Sequence, residues 1–353
     1  MARHLKTIGG EHWFDTDLFN EKLNNFANTQ AVFLSGGQSA IRFILKEINL
    51  KNHEYILMPS YLCPSILYNF QSLNIKYKFY KINADLSIDL NDIKDKIYKN
   101  NIKSVFFINY FGFYHNEKTI NYLKKLKGQD ITIIEDAVQM LWFERKEFIG
   151  DYVFNSYRKF LPIDGAIVLC NKTRKYKFTE DTYSINVRFA RLKKTFFNKF
   201  GIGSEYDFLK LYEKAEEEYY KRKEIIGMDS ESRNLLSKVD YEFILKKRKK
   251  NYSYLYDKLK CNNKIKMIYD KKTICNNSVL GLPILIKNRN EVREKLRKLN
   301  IYCPVHWDIT KECWSSGYVD SRYLSERILT LPIDQRYSFE DMNKLNKAIN
   351  KVY

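Results

Sequence analysis

The chain lacks several things, and each absence argues against a class of protein. Among its 353 residues there is no run of eighteen apolar side chains, so no membrane-spanning helix is expected. Met1-Ala2-Arg3-His4 leads into polar sequence with no secretory signal, which predicts a soluble, cytoplasmic protein. None of the six cysteines (Cys63, Cys170, Cys261, Cys275, Cys303, Cys313) forms a C-x-x-C pair. That speaks against a zinc cluster or a disulfide framework and predicts free thiols and no metal site. Neither the G-x-G-x-x-G pattern nor a P-loop occurs, which disfavours NAD and ATP. Internal repeats and low-complexity linkers are missing too. Acidic residues are scarce beside basic ones, 42 against 61, so the formal net charge is +19. Such an excess suits a polyanionic partner, or it reflects a lysine-rich composition. The basic residues are dispersed apart from Lys246-Lys247-Arg248-Lys249-Lys250. No helix-turn-helix, zinc-finger or RNA-binding signature accompanies that run, so nucleic acid is not the expected partner.

What is present reads as a globular α/β protein. A hydrophobic fraction of 44% argues against disorder, and the length suits two domains. Short apolar strands alternate with amphipathic helices for about 170 residues, the pattern of a mostly parallel sheet. Strands are expected at Ala31–Leu34, Tyr55–Met58, Lys76–Ile82, Ser104–Ile108, Ile131–Ile134, Tyr152–Phe154 and Ala166–Cys170. Helices are expected at Asp17–Phe26, from Ala40 to about Ile48, after Pro64 to about Leu73, at Leu90–Lys99 and at Glu117–Lys127. From Glu180 to Lys260 the pattern turns helical and charged, with long helices at Phe208–Ile226 and Tyr241–Leu259 and a loop near Gly227–Ser230. A smaller α/β unit follows: a strand at Val279–Ile286, a helix at Glu291–Leu299, a strand at Ile301–His306 and a last helix after Ser338. The boundary is expected near residue 235, giving a large domain over 1–235 with an N-terminal arm and a small domain over 236–353.

The densest chemistry lies at strand ends. Ile131-Thr132-Ile133-Ile134 runs into Glu135-Asp136-Ala137-Val138-Gln139, a buried strand ending on charge. Ligands of open α/β sheets bind beyond the carboxyl ends of the strands. Lys159 follows the run Tyr152-Val153-Phe154. An acid and a lysine at neighbouring strand ends suit pyridoxal 5′-phosphate (PLP), the lysine bonding the cofactor and the acid pairing with its ring nitrogen. Ser35-Gly36-Gly37-Gln38-Ser39 joins a strand to a helix, either as a phosphate cradle of backbone N–H groups or as a plain glycine turn.

Taken together, Ser35–Ala40, Met58-Pro59-Ser60-Tyr61, Tyr110-Phe111-Gly112, Glu135–Gln139 and Ser156-Tyr157-Arg158-Lys159 resemble the DegT/DnrJ/EryC1/StrS family of PLP-dependent sugar aminotransferases. The resemblance covers most of the chain and implies the type I (aspartate aminotransferase-like) fold. It also implies that Lys159 carries PLP and shuttles a proton, that Asp136 keeps the pyridine nitrogen protonated, and that Gln139 bonds the phenolic oxygen. Gly37, Gln38, Ser39 and the Ser156 hydroxyl would hold the phosphate, and Cys63 stands where the family stacks an aromatic residue on the ring. Three departures are visible: Gln38 replaces a usual threonine, Cys63 cannot stack as an aromatic ring does, and the Ser156–Lys159 interval is short. Tyr61 is the candidate to take over the stacking. The family's partner-delivered Asn-x-Arg matches Asn186-Val187-Arg188 in letters and Ser230–Arg233 in position.

The implied reaction moves an amino group, from glutamate or another amino acid, to a keto sugar carried on a nucleotide, for a surface polysaccharide or a glycosylated metabolite. The implied assembly is a homodimer with shared sites. The alternatives are a PLP-dependent sugar dehydratase, in which the resemblance implies histidine in place of Lys159, and a non-catalytic binding protein on the same fold. Among substrate contacts, Tyr61, Arg158 and His306 are the candidates. Arg158 reads equally as an anion contact or a structural ion pair, and His306 as a site residue or wall filler beside Trp307.

Overall fold

A computed structural model describes residues 7–20, 31–142, 148–171, 176–179, 183–274 and 278–353. The chain runs β1 (Ile8–Gly9), β2 (Ala31–Leu34), α1 (Gly37–Ile48), β3 (Tyr55–Pro59), α2 (Pro64–Ser72), β4 (Tyr77–Tyr80), α3 (Leu90–Lys99), β5 (Ile102–Ile108), α4 (Glu117–Lys127), β6 (Thr132–Asp136), β7 (Met140–Leu141), β8 (Tyr152–Phe154) and β9 (Ala166–Cys170). Then come α5 (Tyr183–Phe200), α6 (Glu205–Lys221), α7 (Ser230–Ser237), α8 (Tyr241–Leu259), β10 (Lys266–Met267), β11 (Ser278–Val279), β12 (Leu282–Leu285), α9 (Arg289–Arg297), β13 (Ile301–Tyr302), α10 (Val319–Arg327), β14 (Ile328–Leu331) and α11 (Phe339–Val352). The helix expected over Asp17–Phe26 lies partly outside the described residues. Within them, Thr16–Leu18 forms a 3-10 turn.

The main sheet has seven strands in the order β2-β9-β8-β6-β5-β3-β4. Only β9 runs against its neighbours, so the mostly parallel sheet is observed. β5, β6, β8 and β9 are buried almost end to end, as strands covered on both faces must be. A second sheet, β10-β12-β14, is antiparallel. The strand expected over Val279–Ile286 is interrupted at Leu280-Gly281, where it leaves one partner, β7, for others, β10 and β14. A side chain at Gly281 would meet Thr330 Cγ2 at 2.4 Å. The strand expected over Ile301–His306 stops at Tyr302, two residues before Pro304, which has no N–H to donate. β1 pairs in parallel with β13, Ile8 opposite Ile301, so the N-terminal segment packs on the C-terminal half of the chain.

The long helix expected from Phe208 to Ile226 is α6, shifted to Glu205–Lys221. It packs on α5, which the sequence reading left unassigned. Arg191 of α5 and Asp164, just before β9, form a buried ion pair that ties the hairpin to the main sheet. The basic run at Lys246–Lys250 lies on α8, and its Arg248 turns inward to the Val279 carbonyl (3.0 Å) and the Gln335 side-chain oxygen (2.8 Å). That residue belongs to the core rather than to a basic surface. Among the described residues no helix is long and apolar enough to cross a membrane, and no group of three or more His, Cys, Asp or Glu side chains could hold a metal ion.

Candidate active site

Strand alternation sends Glu135 and Asp136 to opposite faces. Glu135 accepts hydrogen bonds from Asn109 Nδ2 (2.8 Å) and from the backbone N–H groups of Ile149 and Gly150 (both 2.9 Å). Asp136 closes β6, and its Oδ1 accepts from the Val138 N–H at 2.9 Å. Oδ2 has no protein donor among the described residues. Burial pushes the Asp136 carboxyl up to about 7, against the opposing pull of the Val138 N–H and Lys159. Glu135 is thus spent on the fold, while Asp136 is available to a ligand.

Asp136 lines a cavity of about 110 Å³ at the carboxyl edge of the sheet. Gly37, Gln38, Cys63, Gln139, Ser156, Arg158, Lys159 and His306 line it too, so the structure brings nine predicted site residues together. They arrive on five separate pieces of chain. Gly37 and Gln38 open α1, Cys63 precedes α2, and Ser156 to Lys159 follow β8 as a 3-10 turn. His306 comes from the segment after β13. Gln139 Oε1 accepts from the Phe111 N–H at 2.6 Å, which fixes its side chain. Burial lowers the Lys159 amine, and the adjacent Arg158 lowers it further. Burial also holds the His306 ring down at about 3, and Lys159 adds to the effect, so the ring is neutral. Its Nδ1 sits 2.9 Å from Thr330 Oγ1.

Two predicted residues stand off the lining. Ser39 turns its hydroxyl to Ser35 Oγ (3.0 Å) and accepts from the Ile226 N–H at 3.4 Å. Tyr61 is fully buried. Its hydroxyl donates to the His306 carbonyl at 2.6 Å and accepts from the Trp307 N–H at 2.9 Å. It props the cavity wall from behind and is not among the residues that line the cavity, so the structure does not bring Tyr61 to the position expected for stacking. Both arginines proposed for the Asn-x-Arg role are engaged within this chain: Arg188 pairs with Asp229 (2.8 Å) and Glu231, and Arg233 lies over the Phe33 ring.

Sequence reasoning missed Tyr219 and Tyr220 of α6, which also line the cavity. The Tyr219 hydroxyl accepts from the Gln38 N–H at 3.2 Å. A Cβ on Gly36 would lie 2.7 Å from that hydroxyl, so the glycine is needed for the close approach. No local pattern in the charged helix marks these tyrosines. A second, larger cavity of about 530 Å³ shares Arg158, Lys159 and His306 with the first. Glu11 and His12 of the N-terminal segment and Arg293 and Arg336 of the C-terminal half also line it. Lys159 therefore stands in the wall between a small compartment and a large one.

No family model matches the sequence, and no curated protein matches it. Solved structures do match along nearly the whole chain. A Streptococcus pneumoniae protein named as a sugar aminotransferase, in its PMP form, superposes with a TM-score of 0.71 at 12% identity, covering 98% of each chain. A DegT/DnrJ/EryC1/StrS aminotransferase from Brucella abortus gives a TM-score of 0.62 at 15% identity over 91% of this chain and 85% of that one. The Escherichia coli GDP-4-keto-6-deoxy-D-mannose-3-dehydratase with bound hydrated PLP gives 0.65 at 18% identity over 92% and 88%. At such identities the likeness is one of fold, and the fold of this chain is the type I PLP-dependent transferase fold of sugar aminotransferases and their dehydratase relative.

Proposed function

We propose that this protein is a PLP-dependent aminotransferase that passes an amino group from an amino acid, glutamate in the first instance, to a keto sugar carried on a nucleotide. The observation that carries this reading is the convergence of Lys159, Asp136 and Gln139 on one cavity at the carboxyl ends of β6 and β8. The donor set fits PLP: a buried amine, a buried carboxyl with one oxygen open, a fixed amide and a glycine turn beneath a helix start. When bound, PLP supplies the electron sink for exchanging an amino group between two substrates. The chain's own residues supply the rest. Lys159 Nζ, its proton affinity lowered by burial, would hold the cofactor and, once the incoming amino donor displaced it, would take and return the proton at the substrate carbon. Asp136 Oδ2 would hold a proton on the ring nitrogen, Gln139 would keep the ring in register, and neutral His306 would stand beside the substrate. The larger cavity falls within the roughly 300–1,000 Å³ usual for small-molecule sites, and Arg293 on its wall suits an anionic acceptor.

The same reading includes a homodimer. Ile185, Phe189, Leu192, Phe196 and Phe200 form one exposed apolar stripe along α5, a face suited to a second copy. The large domain over 1–235 and the small one over 236–353 are retained as the working division. A dehydratase is the second reading, because a dehydratase shares the fold. It would form its product without consuming an amino donor.

The deciding experiment is the visible spectrum of the purified protein with PLP, before and after glutamate, beside Lys159→Ala. A visible band of lysine-bound PLP that glutamate bleaches and the variant lacks is expected. A flat spectrum in the natural protein would overturn the reading and leave a non-catalytic binding protein on this fold.

A further inference from the structure

Arg158 is a cation with an unusual position. It precedes Lys159 on the same 3-10 turn and lines both cavities. Among the described residues it has neither a hydrogen-bond acceptor nor a carboxylate partner. Its guanidinium lies over the Tyr219 ring, 4.9 Å from the centroid. The hydroxyl of that same ring takes the Gln38 N–H at the start of α1. Arg158, Tyr219 and the turn at Gly36-Gly37-Gln38 thus form one continuous group. A backbone N–H, a helix start and a guanidinium together make a site for a tetrahedral dianion. The phenol occupies the N–H that such an anion would take.

The other candidate cations are committed elsewhere. Arg188 is paired with two carboxylates, and Arg233 packs on Phe33. In the larger cavity Arg336 is paired with Asp334 and also donates to the Gly10 and Glu11 carbonyls. Arg248 there is spent on two carbonyls and an amide. In the smaller cavity the cations are Arg158 and Lys159, and Lys159 is assigned to the cofactor's aldehyde end.

We propose that Arg158 is the counter-ion of the cofactor's phosphate, supplied within one chain, and that Tyr219 holds its guanidinium over the turn and yields the Gln38 N–H when the phosphate arrives. This rests on the PLP reading above. It departs from an arrangement in which the partner subunit delivers the phosphate-binding arginine. Because Arg158 makes no hydrogen bond or ion pair with another protein group among the described residues, replacing it leaves no buried polar group unpaired, and the fold should survive the loss of its contact with the Tyr219 ring.

The test is equilibrium binding of PLP and of pyridoxal, which lacks the phosphate, to the natural protein, Arg158→Gln and Arg158→Lys, with circular dichroism to confirm folding. Loss of a charge-assisted hydrogen-bonded pair should weaken PLP by roughly 10- to 100-fold in Arg158→Gln. Pyridoxal binding should weaken far less, by no more than the change in the Lys159 amine that Arg158 helps to lower, and Arg158→Lys should recover part of the PLP affinity. Equal weakening of PLP and pyridoxal, or of neither, would overturn the assignment. So would unchanged PLP binding with weakened uridine diphosphate binding to the loaded protein, since the arginine would then serve the acceptor's diphosphate. If the natural protein bound neither PLP nor pyridoxal, the aminotransferase reading itself would fall, a result distinct from a defect confined to the variants.

Discussion

Asp136 and Glu135 are adjacent carboxyls with opposite fates, and the difference has a pH consequence. Burial raises Asp136 from 3.8 to about 7. Between those values the folded chain binds more protons at this site than the unfolded chain does, so stability falls as pH rises through the window. Asp136→Asn keeps an acceptor for the Val138 N–H and removes the buried charge. Above pH 7 the cofactor-free variant should therefore be more stable than the natural chain, on the order of 2–4 kcal/mol, with the advantage vanishing below pH 4. Thermal unfolding at pH 4 and pH 8 checks this, and the same variant should lose PLP-dependent activity. Asp136 and Gln139 were legible in the sequence because a β-branched run leads into them, and Lys159 because it follows the apolar run Tyr152-Val153-Phe154; the strand end is where an α/β sheet places its ligand. Tyr219 was not legible, because its place depends on α6 folding back across 181 positions to Gln38. Nor could the sequence show that Tyr61 would be consumed by the His306-Trp307 backbone, a contact made across 245 positions.

Elements were legible where their own residues set their ends. α3, α4 and α8 occur at the bounds expected from periodicity alone. α11 starts at Ser338, whose side chain accepts from the Asp341 N–H while Asp341 accepts from the Ser338 N–H. Ser338→Ala should cost about 1 kcal/mol, read as a lowered unfolding temperature. α5 and α7 were not read as elements, and α5 depends on tertiary contacts for its placement. Its Arg191 meets Asp164 with both side chains nearly inaccessible, 2% and 4% exposed. Asp164→Ala would leave a buried guanidinium without its counter-charge. It should destabilise the chain by about 3–5 kcal/mol in denaturant unfolding, far more than any exposed ion pair would.

At the scale of the whole molecule, the apolar stripe on α5 is the surface with most to gain from burial. Phe189 and Phe196 stand 56% and 48% exposed on it. If a second copy covers the stripe, Phe196→Glu should move the protein from dimer to monomer in sedimentation at micromolar concentration. An unchanged dimer would place the contact elsewhere. The candidate site lies close by, since α6 packs on α5 and carries Tyr219 and Tyr220. A monomeric variant should therefore also bind PLP less tightly.

The pairing of β1 with β13 joins Ile8 to Ile301, and it sets an order of events on the ribosome. All seven strands of the main sheet lie between residues 31 and 170, so the sheet has its full complement well before β13 is made. The first strand must wait for the 301–302 segment. At about 5–20 residues per second that delay is roughly 15–60 s. Gly10, Glu11 and His12, which wall the larger cavity, are thus made long before the segment that holds β1 in place. The nascent protein can assemble the carboxyl edge of the main sheet early but can wall the larger cavity only once residues 301–302 have been made.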